Sequence, residues 1–248
     1  MKVHIRQAKS EDWKIVQQLN NQLFQAYKDN VENCKQSIIT LCEAGNKNAQ
    51  YLDCGCDNGD FTLQVAKKIK TKKLFGIEIN PANAKIATER GVEIKAADLN
   101  KRFPYPNNSF DVITANQVIE HLTDTDHFAK EIKRVLKPEG YAIISTNNLS
   151  SWHNVVSLML GFQPFPSDVS NTSSIGKLYK LSDNEEGSLA HLRIFTMKAL
   201  IEFFKHHGFT VEEVVGVGYY PFPTNIASFF LSIDKNHSVY TTLKIRPV

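Results

Sequence analysis

The chain has 248 residues, enough to bury the core of one large domain or two small ones. Hydrophobic residues make up 42% and charged residues 22%, the balance of an ordinary globular protein. A net charge of +3 without a long Lys/Arg run supplies no dense phosphate-binding stripe, so nucleic acid is not an expected partner.

Residues 1–10 are polar and lack the apolar segment of an export signal. The longest apolar stretches, 155–160 and 226–233, fall short of a membrane span, so a cytoplasmic chain without a membrane partner is expected. From 10 to 33, Trp13, Val16, Leu19, Leu23, Phe24, Tyr27 and Val31 share one helical face, and Ser10 followed by Glu11 and Asp12 suits a helix start. A second helical stretch, 36–42, runs into Gly45. These amphipathic helices form an extension, 1–48, expected to pack on the core or to join two copies of the chain as a homodimer, a contact the later lid segment could also make. Cysteines at 34, 42, 54 and 56 are expected to be reduced thiols. Cys54-Gly55-Cys56 has one intervening residue where structural zinc sites have at least two, and no metal is expected.

An alternation of strands and helices follows. Residues 50–54 read as a buried strand, 60–70 as a helix with solvated lysines at its end, and 73–79 as a second strand. Pro81 opens a helix that Gly91 ends, 92–96 is a third strand, and 110–115 a fourth. A helix at 126–136 is stopped by Lys137-Pro138-Glu139-Gly140, which turns into a fifth strand, 141–145. This core, 49–146, predicts a doubly wound α/β fold with a mostly parallel sheet. The segment 147–190, rich in Ser and Asn and carrying Pro164 and Pro166, breaks the rhythm and is expected to form a lid. In the closing part, 191–248, a helix at 196–207, a strand at 209–217, a helix at 224–233 and a strand at 239–245 complete seven strands, the last two pairing antiparallel. The whole reads as one domain.

In an open α/β sheet, ligands sit beyond the carboxyl ends of the strands. The loop after the first strand, 53–59, carries Gly55 and Gly59, which let backbone turn sharply and approach a ligand. Glu78, 19 residues past Gly59, ends the second strand and can accept both hydroxyls of a ribose. A nicotinamide dinucleotide would call for Gly-x-Gly-x-x-Gly with its pyrophosphate on the helix N-terminus. Here the spacing is Gly-x-x-x-Gly, and Asp57 and Asp60 stand at that helix start, where they repel a pyrophosphate but tolerate an adenosyl ligand bearing sulfonium and ammonium charges.

The runs Tyr51-Leu-Asp-Cys-Gly-Cys-Asp-Asn-Gly-Asp-Phe-Thr62, Phe75-Gly-Ile-Glu-Ile-Asn80, Ala97-Asp98-Leu99, Phe110-Asp-Val-Ile-Thr-Ala-Asn-Gln-Val-Ile-Glu-His-Leu122 and Arg134-Val-Leu-Lys-Pro-Glu-Gly-Tyr141 resemble, in order, the class I S-adenosylmethionine-dependent methyltransferases. Within them the chain is most similar to the small-molecule, methionine-biosynthesis-like branch (methyltransferase type 11). The resemblance implies a Rossmann-like seven-stranded sheet, S-adenosylmethionine as cofactor and S-adenosylhomocysteine as product. It implies that Asp53, Gly55, Cys56 and Gly59 shape the wall against the methionine part of the cofactor, and that Glu78 holds the ribose with Ile79 and Asn80 beside it. Asp98 would accept the adenine amino group with Leu99 against the ring, and Asn116 and Gln117 would line the methyl-donor side. The family usually has glycine where this chain has Asp57.

Methyl transfer from a sulfonium needs mainly alignment, and a base only when the acceptor must lose a proton. His121, just after the fourth strand, is either that base or a tie between loop and backbone. Glu120 is a further candidate, and His153, His191 and Arg193 are candidates for substrate contact. The lid aromatics Trp152, Phe162, Phe165 and Tyr179 either close over an acceptor or pack the lid down. The expected reaction moves a methyl group to a small molecule, at a hydroxyl or carboxylate oxygen; the alternative is a catalytically silent cofactor-binding module acting through protein contacts.

Overall fold

A computed structural model describes residues 10–44, 46–170, 173, 175–178 and 191–248, with 10–20 and 23 as backbone only. Seven strands form one sheet: β1 (Gln50–Cys54), β2 (Lys73–Ile77), β3 (Glu93–Lys95), β4 (Phe110–Asn116), β5 (Leu136–Asn147), β6 (Phe209–Val217) and β7 (Tyr240–Pro247), in the order β3-β2-β1-β4-β5-β7-β6. Only β7 runs against the rest, antiparallel to both β5 and β6. The helices are α1 (Ser10–Leu41), α2 (Asp60–Ile69), α3 (Pro81–Glu89), α4 (Thr125–Val135), α5 (Trp152–Met159), α6 (Met197–His206) and α7 (Thr224–Ile233). This is the Rossmann-like doubly wound α/β sheet that the strand–helix alternation predicts.

The two faces of the sheet follow from the period of two along each strand. Leu52 and Cys54 of β1, Ile113 and Ala115 of β4, and Ala142 and Ile144 of β5 pack with Phe128, Ile132 and Val135 of α4 and with Leu200 and Phe204 of α6. Their neighbours Tyr51, Val112, Tyr141 and Ile143 face the other way, onto Ile38 and Leu41 of α1 and Val65 and Ile69 of α2. Each fully buried aliphatic side chain contributes roughly 2 kcal/mol, so both faces hold their helices firmly.

Several boundaries differ from the sequence reading. The two expected N-terminal helices are one, α1. Residues 33–36 contain neither Gly nor Pro, and the buried positions Ala26, Asn30, Cys34, Ser37, Ile38 and Leu41 keep one continuous face. The Lys137-Pro138-Glu139-Gly140 run is not a turn after the helix but part of β5, which begins at Leu136. The pairing with β4 shifts register between Phe110 and Val112, an irregularity in the ladder that accommodates a proline lacking an N–H. Strand β2 ends at Ile77, leaving Glu78 and Ile79 just beyond it.

The expected lid, 147–190, opens with helix α5. Two of its aromatics, Trp152 and Phe165, pack onto the C-terminal elements, while Phe162 is exposed. Trp152 stacks on His237, with ring centroids 4.4 Å apart, and donates to Asp234 of the α7 end at 3.1 Å. Phe165 is within ring contact of His153 and Tyr220. Tyr179 lies outside the described residues. All four cysteines are free and buried, and among the described residues no helix is long and apolar enough to cross a membrane.

Candidate active site

The loops leaving β1, β2, β3 and β4 meet around a cavity of about 800 Å³ at the carboxyl edge of the sheet, where the strand order reverses between β1 and β4. Asp53, Gly55, Cys56, Glu78, Ile79, Asp98, Leu99, Asn116 and Gln117 all line it, as does His121. Gly59 does not. It caps α2 in the left-handed region, at φ 81°, with the position of an added Cβ 3.1 Å from the Ala87 side chain, and so shapes the loop from behind.

The loop after β1 is held by its backbone. Gly55, at φ 70°, donates its N–H to the Ile77 carbonyl at 2.9 Å, and a Cβ there would stand 2.7 Å from Val118 Cγ2. Asp57, where the resembling family usually has glycine, takes φ 49°. That is the left-handed region, which aspartate tolerates better than most residues. Its N–H donates to Glu78 Oε2 at 2.9 Å, and its carboxylate accepts from the Asn83 amide. Glu78 Oε1 accepts from Asn80 N at 2.8 Å. Each Glu78 oxygen therefore holds one backbone N–H and keeps lone-pair capacity for a ligand hydroxyl. Capping of α3 is the work of Asn80, whose side chain accepts from Ala82 and Asn83 N–H groups.

Asp53 lines the cavity yet is buried. Its oxygens accept from the Thr62 hydroxyl at 2.6 Å and the Thr114 hydroxyl at 2.7 Å, and loss of solvation pushes its pKa up to about 6 against these bonds. Asp98, beyond β3, accepts from the Asn100 backbone and side chain at 2.9 and 3.0 Å; the backbone bond holds its pKa below the usual value. Asn116 Oδ1 accepts from Ser145 Oγ at 2.7 Å. Gln117 has φ 55°, which swings the chain out of β4 toward the cavity.

Charge distinguishes the cavity. Asp53, Asp57, Asp60, Glu78 and Asp98 contribute carboxyl groups to its wall, against one lysine, Lys35. Asp60 is partnered by Arg90 at 3.0 Å. A wall of this kind disfavours a pyrophosphate and favours a ligand with positive charge.

A family model described as a methyltransferase domain matches residues 21–214. The chain belongs to this family. Within it the fold is that of the class I S-adenosylmethionine-dependent methyltransferases. Sterol 4-C-methyltransferase strm-1 of Caenorhabditis elegans is 36% identical over 115 residues, 42% of this chain and 34% of that protein. Demethylmenaquinone methyltransferase of Lactobacillus johnsonii is 31% identical over 98 residues, 36% of this chain and 40% of that protein. The chain thus spans less than half the length of these two relatives. Among solved structures, an S-adenosylmethionine-dependent methyltransferase from Mesorhizobium loti has a TM-score of 0.58 at 15% identity, covering 85% of this chain and 96% of its own. A second, from Thermotoga maritima, has a TM-score of 0.60 at 17% identity, covering 95% and 97%. At these identities the likeness is one of fold.

Relative to this pocket, the expected substrate residues separate into two groups. His191 comes beside His121, with ring centroids 4.7 Å apart. The backbone N–H groups of Leu192 and Arg193 donate to the Glu120 carbonyl at 2.7 and 3.1 Å, and Arg193 Nη2 donates to the Thr123 carbonyl at 3.1 Å. His153 is not among the cavity-lining residues. It packs against Phe165 and Tyr220, and loss of solvation takes its pKa down to about 4. Trp152, Phe162 and Phe165 do not line the cavity either. Sequence reasoning missed Lys35, which α1 delivers from a distant part of the chain, and the apolar wall residues Phe61, Ile77, Ala97, Val118 and Leu122. Val118 and Leu122 lie inside the motif-bearing 110–122 run, so a closer reading of that run could have found them.

Proposed function

We propose that this protein transfers a methyl group from S-adenosylmethionine to a small-molecule acceptor, at a hydroxyl or carboxylate oxygen. The observation that carries the reading is the acidic cavity at the strand-order reversal, lined by nine of the eleven residues that the resemblance assigns to the cofactor or places beside it (all but Gly59 and Asn80). Glu78 binds the ribose through the free capacity of its two oxygens, Asp98 accepts from the adenine amino group, and the Asp53 side of the cavity receives the cationic methionine part. The names of the relatives, a sterol and a demethylmenaquinone methyltransferase, support a small-molecule acceptor.

Transfer is an in-line displacement: the acceptor's electron pair forms the new bond to the methyl carbon while the carbon–sulfur pair returns to sulfur, leaving the neutral thioether. Alignment in a water-poor cavity supplies most of the acceleration. A hydroxyl acceptor must also lose its proton, and His121, which lines the cavity, is the candidate to assist that loss. The test is a screen of hydroxyl- and carboxylate-bearing small molecules with methyl-labelled donor, comparing the wild type with His121→Ala. An acceptor turned over by the wild type, with turnover in His121→Ala reduced at least tenfold at unchanged donor affinity, supports the reading. Unchanged turnover removes His121 from it.

A further inference from the structure

We propose that Glu120, His121 and His191 hold a divalent transition-metal cation, zinc by its donor set, at the acceptor end of the cavity. The ligand atoms of these three side chains all lie within 4.8 Å of one another. Two imidazoles and one carboxylate form a donor set used at catalytic zinc centres, where three protein ligands leave a coordination position open. The sequence conceals the set, because 70 residues lie between Glu120 and His191. The fold joins them through the backbone bonds from Leu192 and Arg193 to the Glu120 carbonyl.

The surroundings of the cluster match those of ligating side chains. His191 Nδ1 lies 2.9 Å from the Pro166 carbonyl oxygen, which can only accept, so Nδ1 carries the hydrogen and Nε2 keeps its lone pair. A ligating histidine is commonly oriented through its other nitrogen in this way. Glu120 is buried, and its Oε2 accepts from the Thr146 hydroxyl at 2.9 Å and its Oε1 from Asn147 Nδ2 at 3.3 Å. These bonds fix the carboxylate plane, and Oε2, with Thr146 as its one side-chain donor, keeps a lone pair for a cation. Of the three, His121 lines the cavity itself and so links the cluster to it.

The role of the cation rests on the methyl-transfer reading above. An acceptor hydroxyl on the cation gives up its proton to solvent near neutral pH, as zinc-bound water does at about 7. The resulting oxyanion's electron pair forms the oxygen–carbon bond as the carbon–sulfur bond breaks. His121 then acts as a ligand rather than as the base.

The test is a titration of the chelator-treated full chain with cobalt(II), read by its visible absorption, followed by displacement with zinc. Alongside it, S-adenosylhomocysteine binding is measured by calorimetry on every variant. The proposal predicts one equivalent of cobalt with the intense absorption of a four- or five-coordinate ion, lost on adding zinc. It predicts affinity at least tenfold weaker in His191→Ala and in Glu120→Gln, and unchanged in His237→Ala, a histidine remote from the cluster. A wild type that leaves cobalt with the pale spectrum of the hydrated ion overturns it. So does undiminished cobalt binding in His191→Ala. Should Glu120→Gln fail to bind S-adenosylhomocysteine and so prove misfolded, His191→Ala, whose ring is partly exposed, carries the test. Loss of S-adenosylhomocysteine binding by the wild type would count against the proposed function and not against the metal site, which keeps the two failures apart.

Discussion

Replacing Gly55 with alanine should damage both stability and the cavity, through two separable costs. The residue sits at φ 70°, where an L side chain costs about 1–2 kcal/mol. The new Cβ would lie 2.7 Å from Val118 Cγ2, about 1 Å inside ordinary carbon contact, and overpacking of that kind costs roughly 1–3 kcal/mol. The sum, about 2–5 kcal/mol, is a large fraction of a typical folding free energy and lowers Tm by roughly 2–4 °C for each kcal/mol. Val118→Ala removes the methyl group that clashes. The double variant should therefore recover the packing part while keeping the backbone part, giving a coupling energy of about 1–3 kcal/mol. Urea unfolding of the four proteins with a common m-value reads this out. A Gly55→Ala cost below about 0.5 kcal/mol, or strict additivity of the two substitutions, would refute the reasoning.

Further expectations concern the rest of the cavity. Glu78→Gln should weaken S-adenosylhomocysteine binding at least tenfold, about 1.4 kcal/mol, in a calorimetric titration, because the amide keeps one acceptor atom where the carboxylate offers two. Asp53 ionises at about 6 in the fold and near 3.8 when exposed, so the folded state holds more protons between those values. Stability from this group is therefore greatest below about pH 4 and is lost as pH rises to about 6, by of order 1–3 kcal/mol; Asp53→Asn should flatten that slope in unfolding midpoints measured across the window. Burial pushes the Cys34 and Cys42 thiols up to about 12 and raises those of Cys54 and Cys56 as well, so an aromatic disulfide reagent should modify none of the four in the native protein, and all of them at the rate of unfolding. Fast labelling of any one in the folded protein would contradict its burial.

Where local chemistry decides an element, the sequence reading matches the structure. Strand β6 and helix α7 have the expected ends because Gly208 and Pro223 punctuate them, and the alternation from 50 to 115 discloses both the parallel sheet and the crevice. The cavity-lining residues were legible because they lie at or shortly beyond the carboxyl ends of β1 to β4, and topology brings those ends together. What stayed hidden depends on contacts distant in sequence. The continuity of α1, and with it the arrival of Lys35 at the cavity, is set by packing on the sheet rather than by helix signals around residue 34. The meeting of His121 with His191 depends on backbone bonds from Leu192 and Arg193 to the distant Glu120 carbonyl, and the turn of His153 away from the cavity depends on Phe165 and Tyr220. Apolar loop residues such as Trp152 and Phe165 carry no mark that separates packing from ligand contact.

The most direct test of the donor pocket is calorimetric titration of the purified chain with S-adenosylhomocysteine, with NAD and NADH as controls. Micromolar binding of S-adenosylhomocysteine, abolished in Glu78→Ala and absent for both nicotinamides, is the predicted result. Binding of a nicotinamide instead, or of none of the three, would contradict the assignment of this acidic cavity to a methyl donor.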